Sequence, residues 1–473
     1  MSRVPASTLL RNPWTVIVPV LAALAVAVAL RPLQAAVFVL APVATLLLVL
    51  RFGLRHGLWY ALVASIPLRQ ALAIDVFGTI TLFYGDVLLF ALAALVLYEH
   101  GLTGIVRRST TFRIGLILLA LSIIGLYSAS RLVWGAAAVY RIVCQLTFFY
   151  LAYELVKSGE VATRTLAAVV AGLAPAAAYG VYQAFLPVDA ELPEWANKLI
   201  AYGLGDRPHI RVFSTFSHTL RFSHYLSVGF GLALGLLASR LARGARAAIA
   251  SAGLLAAVAN LFTYSAGGLV GMMGAGVATA VVFRRRRAVL LLVPVALVAL
   301  FFVSPTALVR KVENVVTGDA MTVAARMITY RQALEVARDH PLLGVGWGGI
   351  RSALEGSYRI TRAYEVAFAA ENYFLQRAVA LGLPGLLLTL AAAWLFFRNV
   401  TRPGPGASGG SWPRAALVIG GAAFYIQAQF FPAAEPASNY LLWTLLAIGE
   451  RLRSAGAESL VAVAPGEGES SPR

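Results

Sequence analysis

Apolar runs of about membrane-spanning length recur along the whole chain, and basic residues punctuate them. A helix that crosses a bilayer needs ~20 consecutive, mainly apolar residues. Such runs stand at 13–30, 33–50, 57–73, 82–98, 114–130, 132–153, 165–185, 222–239, 247–263, 266–283, 288–304, 372–397, 415–432 and 438–449. Several are short or meet at tight turns, so the count expected is twelve to fourteen spans. Composition agrees: of 473 residues, 59 % are hydrophobic and 13 % charged, against roughly 25 % charged in a soluble domain. A water-soluble globular enzyme is thereby excluded. The fold class expected is an all-α polytopic membrane protein. The net charge of +18 does not point to nucleic acid, because the basic residues separate the runs and form no single patch. The run at 13–30, preceded by Arg3 and Arg11, also has the form of a secretory signal. A second long run follows almost at once, which favours a span. The single cysteine, Cys144, excludes an intrachain disulfide and a cysteine metal cluster.

Charge sets the orientation, since positively charged short loops stay in the cytoplasm. With fourteen spans and the N-terminus inside, every second connection is basic. The inner set holds Arg51 and Arg55, Arg107 to Arg113, Lys157 and Arg164, Arg240 to Arg246, Arg284 to Arg287, Arg398 to Arg414, and Arg451 and Arg453. Both termini then lie in the cytoplasm. The expected organisation is one membrane-embedded domain over 1–453, followed by a disordered cytoplasmic tail over 454–473. Two connections on the outer side are long, about 186–221 and 304–370; loops of that length are usually functional or disordered, and their aromatic residues and helical patterns favour function.

The first long loop is amphipathic over Leu192 to Tyr202, a pattern suited to the membrane interface. It then gathers Arg207, His209, Arg211, His218, Arg221 and His224 just before a span. The second contains a helical pattern from Thr322 that Pro341 stops, followed by an expected flexible turn with glycine at 344, 346, 348 and 349. Arg326 and Tyr330 are four apart and share a face, while Arg331 and Glu335 are placed to pair on the neighbouring face. Where the next span starts, Glu371, Asn372 and Tyr373 stand in a row. Two readings of Glu371 stand side by side: a helix cap, or a catalytic base. Within the spans Asp86, Arg141 and Arg377 are the charges that stand out. Such residues are functional candidates, with an Asp86–Arg141 pair as the structural alternative.

Arginine suits a diphosphate, because its planar fork binds phosphate oxygens two at a time and keeps its charge near lipid. Arginines from two loops with one carboxylate therefore suggest a lipid-diphosphate substrate. The arginines would stabilise charge on the departing diphosphate, and the carboxylate would take a proton from an attacking sugar hydroxyl. No acidic pair has metal-ligand spacing, so no metal is expected, and no cofactor. A transporter or flippase without catalysis is the contrasting class; the scarcity of acids within the spans and the absence of a clear duplicated half weigh against it.

Four segments, in order over roughly 205–395, resemble the bacterial O-antigen ligase/polymerase family. Arg211-Val-Phe-Ser-Thr-Phe-Ser-His218 resembles its outer-loop motif, and Leu261-Phe-Thr-Tyr-Ser-Ala-Gly-Gly-Leu-Val-Gly271 its Thr-x-Ser-Arg-Gly segment. Arg326 to Tyr330 with Asp339-His-Pro-Leu-Leu-Gly-Val-Gly346 resembles its Arg-x-x-x-Trp and His-Pro-Leu-Gly-x-Gly signature. Glu371-Asn-Tyr373 and the Gly382/Gly385 segment resemble the element that closes the large loop. Ala266 stands where the family often has arginine, Thr219 where proline is common, and Glu371 where ligases have a histidine. Glu-Asn-Tyr at this place is more like the polymerase and exopolysaccharide branches.

The resemblance implies a GT-C-like, inverting, metal-independent glycosyltransferase of the bacterial inner membrane, with its active site on the periplasmic side. The donor would be a glycan on polyprenyl (undecaprenyl) diphosphate, and the acceptor another glycan or lipid A–core. Under it Arg211 and Arg326 would bind the diphosphate and Glu371 would act on the acceptor. His218, Arg221, Arg207, His209, Tyr330, Asn372 and Tyr373 would line the substrate site. A polymerase is the first expectation and a ligase to lipid A–core or protein the second.

Overall fold

The structure, a computed structural model, describes residues 32–68, 73–76, 80–190, 200–202, 208–239, 241–283, 321–356, 358, 370, 372–402, 411–430 and 436–461. Helices α1 (Pro32–Phe52), α2 (Leu54–Ser65), α3 (Tyr84–His100), α4 (Thr103–Arg108), α5 (Thr110–Ile124), α6 (Leu132–Leu155) and α7 (Gly159–Gln183) form the first half. The second half holds α8 (Thr219–Leu237), α9 (Arg243–Phe262), α10 (Ala266–Val282), α11 (Met321–Asp339), α12 (Ile350–Glu355), α13 (Tyr373–Thr401), α14 (Ser411–Gln427) and α15 (Pro436–Val461). Among the described residues five helices are long and apolar enough to cross a membrane: α6, α7, α8, α9 and α13. The runs at 13–30 and 288–304 lie outside the described residues.

Short polar residues start these helices where the sequence puts them. The side chains of Ser109, Ser158 and Ser265 accept hydrogen bonds from backbone N–H groups in the first turns of α5, α7 and α10, groups that a helix start leaves without a partner. Among the described residues two antiparallel ribbons break the all-helical pattern. One pairs β1 (Ala73–Val76) with β2 (Ile80–Phe83), and the other pairs β3 (Ile200–Tyr202) with β4 (Pro208–Ile210), Ala201 facing His209. Residues 200–202, read as the end of an amphipathic interfacial stretch, are thus a strand. The helix α15 runs on to Val461, into the stretch read as a disordered tail.

Among the described residues the most enclosed membrane-length helix is α8: 72 % of its apolar window is buried inside the protein, against 33 % for α9. It packs against α7, α9, α10 and α14. Small residues allow the close approach, as where Gly235 of α8 lies against the backbone of Ala416 in α14. Without water between helices, such packing replaces the hydrophobic drive of a soluble core. In the first half, Trp59 donates to Thr165 Oγ1 (3.0 Å), tying α2 to α7, and Phe148 stacks on Tyr440 of α15 (4.8 Å). Asp86, buried in α3, accepts from Tyr140 Oη (3.2 Å), whereas Arg141 is exposed.

Contacts between distant segments collect at two ends of the bundle. At one end Glu450 accepts from Ser109 Oγ and Thr110 N (both 3.0 Å), Arg453 donates to Asn399 (2.8 Å), and Arg414 donates to the Leu452 carbonyl (2.9 Å). These residues belong to the connections that the charge rule places together. At the other end lie the start of α8, the α9–α10 turn, the start of α13 and the end of α14.

Helix α13 is broken at Gly382, where φ is 69° and ψ −167°. The break frees the carbonyls of Val379 and Ala380, since Leu383 N turns to Pro341 O (2.7 Å) and Pro384 has no N–H. Val345 N and Gly346 N take their place at 2.9 and 3.1 Å. The carbonyls of Val379 and Ala380 thus keep partners, as a break within a membrane-length helix requires. The glycine-rich segment 344–349, expected to be a flexible turn, is therefore docked on α13 as a fixed one, with Gly344 and Gly346 at φ of 65° and 67°.

Candidate functional site

The segment 211–218 crosses the bundle end before α8 begins. Val212 N donates to the Phe262 carbonyl at the end of α9 (3.2 Å). Arg211 then reaches over the same helix end: Nε donates to Thr263 O (3.0 Å) and Nη2 to Tyr264 O (3.5 Å). A guanidinium on the last carbonyls of a helix also meets the negative end of its dipole. Among the described residues the arginine is thus held by neutral groups, and no carboxylate pairs with it.

Arg326, in the second turn of α11, is near enough that its charge acts on Arg211. Burial first, and then the Arg326 charge, push the Arg211 guanidinium below its ordinary value; arginine nevertheless stays cationic at neutral pH. Among the described residues no ion pair involves Arg211 or Arg326. Two like charges that lack a carboxylate partner and lie partly out of water are unfavourable alone. The arrangement is suited to receive an anion with several oxygens.

His218 caps α8: its Nδ1 accepts from Leu220 N (3.1 Å). Nδ1 is therefore unprotonated, and Nε2 carries the hydrogen as a donor. Burial, then Arg221 and Arg211, push its pKa down to about 4. In the ligand-free protein at neutral pH His218 is a neutral donor beside two cations. Arg221 donates to Ser217 Oγ (2.7 Å), folding back over the same turn.

On the far side of the site, α11, α13 and the 3₁₀ turn Ala428–Phe430 meet at Gln429. Its carbonyl accepts from Tyr330 Oη (2.7 Å) and from Asn372 Nδ2 (3.3 Å), and its Oε1 lies 3.2 Å from the same Asn372 nitrogen. Asn372 Oδ1 accepts from Phe374 N (2.9 Å) and Leu375 N (3.1 Å), so Asn372 is the N-cap of α13. Tyr373 is buried against Phe374 and Phe424. Arg377, one turn on, is 3 % exposed, with its guanidinium 4.9 Å from the Trp347 ring centre and 5.4 Å from that of Tyr373.

The structure therefore brings Arg211, His218, Arg221 and Arg326 into one electrostatic neighbourhood. Tyr330 and Asn372 meet at Gln429, where their polar groups tie elements together. Tyr373 is a core residue. Arg331 and Glu335 are both exposed on α11, as their face predicts, but no ion pair joins them. Glu371 and Arg207 lie outside the described residues, and His209 is placed in β4, opposite Ala201. Sequence reasoning passed over Gln183, Asn260 and Gln429. Amides inside or at the edge of apolar runs were the signal available, since polar groups there must find partners.

Residues 223–390 match the family model described as O-antigen ligase. The match takes in Arg326, Tyr330, Asn372 and Tyr373 and begins after Arg211, His218 and Arg221. It supports glycan transfer of the O-antigen ligase/polymerase type. No curated protein matches the chain.

Proposed function

From the match of residues 223–390 to the family model described as O-antigen ligase, we propose that this chain is an inverting membrane glycosyltransferase of the O-antigen ligase/polymerase type. It moves a glycan from a polyprenyl (undecaprenyl) diphosphate carrier to an acceptor at the outer leaflet of the bacterial inner membrane. The observation that carries this reading is the Arg211–Arg326 pair: two guanidiniums from separate segments, within each other's field and without a carboxylate partner among the described residues.

In the proposed reaction the acceptor hydroxyl attacks the anomeric carbon of the donor sugar. The new glycosidic bond forms as the bond from that carbon to the diphosphate oxygen breaks, with the electron pair leaving on the diphosphate. Arg211 and Arg326 neutralise the charge that grows there, a role worth about 10²–10³ in rate when a single donor is removed. His218 Nε2–H adds a neutral donor. The hydroxyl proton goes to Glu371 in this scheme, and no metal takes part.

A polymerase that extends lipid-linked repeats is the first reading, carried by Glu371-Asn372-Tyr373. A ligase to lipid A–core or protein is the second, favoured by the description of the matching family. Deletion in a producing cell separates them. Loss of a polymerase leaves single repeats on the acceptor; loss of a ligase leaves long chains on the carrier lipid. Arg211→Ala and Glu371→Ala, expressed at the normal level, are expected to abolish surface polysaccharide. Full surface display by both variants would contradict the site and favour a transporter without catalysis.

A further inference from the structure

Two turns flank Arg211, and each holds a residue other than glycine at left-handed φ: Ser214 at 54° and Tyr264 at 51°. Left-handed backbone at such residues is unfavourable and persists only where the surroundings enforce it; it gathers at functional sites. A fully buried carboxamide stands beside each turn. At the first, Gln183 Oε1 accepts from Phe213 N (3.3 Å) and Ser214 N (2.7 Å). At the second, the Thr263 hydroxyl donates to the Asn260 carbonyl (2.6 Å), has Asn260 Oδ1 at 3.3 Å, and accepts from Ser265 N (3.2 Å). Asn260 is itself locked between helices. Its Oδ1 accepts from Ser223 Oγ (2.7 Å), and its Nδ2 donates to Ser227 Oγ (3.2 Å), both in α8.

The second turn is the one that touches the arginine, because Thr263 O and Tyr264 O are the acceptors of Arg211. A chain of hydrogen bonds thus runs from the interior of α8 through Asn260 and Thr263 to the guanidinium. We propose that Asn260 and Thr263 are positioning residues: they set the α9–α10 turn so that its carbonyls aim Arg211 at the diphosphate of a lipid carrier. The inference rests on the reading of Arg211 given above. Neither residue touches substrate. Both act by fixing two oxygens, and an error of about 1 Å in a site group can cost ~10²-fold. Ala266 stands where the family often has arginine, and Arg211 is a cation hydrogen-bonded to this turn.

The test uses the full chain in nanodiscs and farnesyl diphosphate as a short isoprenoid diphosphate probe. Dissociation constants are measured together with melting temperature. Thr263→Val removes the hydroxyl at nearly constant shape, and Thr263→Ser restores it. The expected result is binding weakened at least tenfold by Thr263→Val and by Asn260→Ala, and within about twofold of wild type for Thr263→Ser. A merely structural role would lower melting temperature but leave the affinity of the folded protein unchanged. Arg211→Ala separates the two claims. If it loses binding while Thr263→Val and Asn260→Ala keep it, the positioning role is overturned and the diphosphate reading stands. If Arg211→Ala binds as wild type does, the diphosphate reading fails and this inference with it.

Discussion

His218 shows how much one residue's chemistry depends on the backbone near it. As a member of a cluster of arginines and histidines it is a candidate substrate ligand, and the sequence alone leaves its protonation state open. The cap bond from Leu220 N settles the tautomer, and burial beside Arg221 and Arg211 keeps the ring neutral. The sign of its effect on stability follows. The folded pKa of about 4 lies below the ordinary 6.5, so between these values the unfolded chain binds the extra proton. Stability therefore falls as pH drops from 6.5 to about 4 and levels off below. His218→Asn, which keeps a good cap, is expected to flatten that slope in melting curves taken across the window. An unchanged slope would show that the ring is not neutralised by this site. Asn372 teaches the converse. It was read as a substrate ligand, but its Oδ1 is occupied in capping α13 and its amide in holding Gln429. Its partner, Gln429, is 57 residues away in sequence, and no local pattern could have named it.

The helices themselves were legible, because the apolar period and length of a span are local properties. The runs at 132–153, 222–239 and 247–263 became α6, α8 and α9 with ends shifted by a few residues. The interruption of α13 was not legible. Gly382 and Pro384 are both tolerated in membrane helices, so their presence did not require a break. What makes it stable is the docked segment 341–346, whose N–H and C=O groups replace the lost helical bonds. The same reasoning explains why Gly344 and Gly346 are fixed where a mobile turn was expected. Gly382→Ala would place a Cβ at 2.5 Å from Pro341 O in a left-handed backbone. The expected cost is about 1–3 kcal/mol, read as a lower melting temperature in nanodiscs. A variant as stable as wild type would mean that the break is not held in place by this contact.

For the molecule as a whole, the charge rule predicted which connections share a side, and the contacts of the described residues agree in grouping them. Glu450, Ser109, Arg453 and Asn399 meet at one end; Arg211, Thr263, Asn372 and Gln429 belong to the other. The segments that resemble the family gather at this end, but they do not give its wiring, since Asn260 and Gln183 belong to none of them. The orientation is testable with labels. In a Cys144→Ala background, Tyr127→Cys sits in a fully exposed position between α5 and α6. It is expected to react with a membrane-impermeant maleimide added outside spheroplasts. Leu102→Cys, exposed between α3 and α4, is expected to react only after permeabilisation. The reverse pattern would put Arg211 and Arg326 on the cytoplasmic side and remove the outer-leaflet reaction.

The proposed role of Arg211 and Arg326 is jointly to hold the leaving diphosphate. Its most direct test is the initial rate of glycan transfer from a purified undecaprenyl-diphosphate-linked glycan, by wild type, Arg211→Gln and Arg326→Gln in nanodiscs at matched melting temperature. Each substitution is expected to lower the rate by about 100-fold or more. Variants that transfer glycan as fast as wild type would contradict the account.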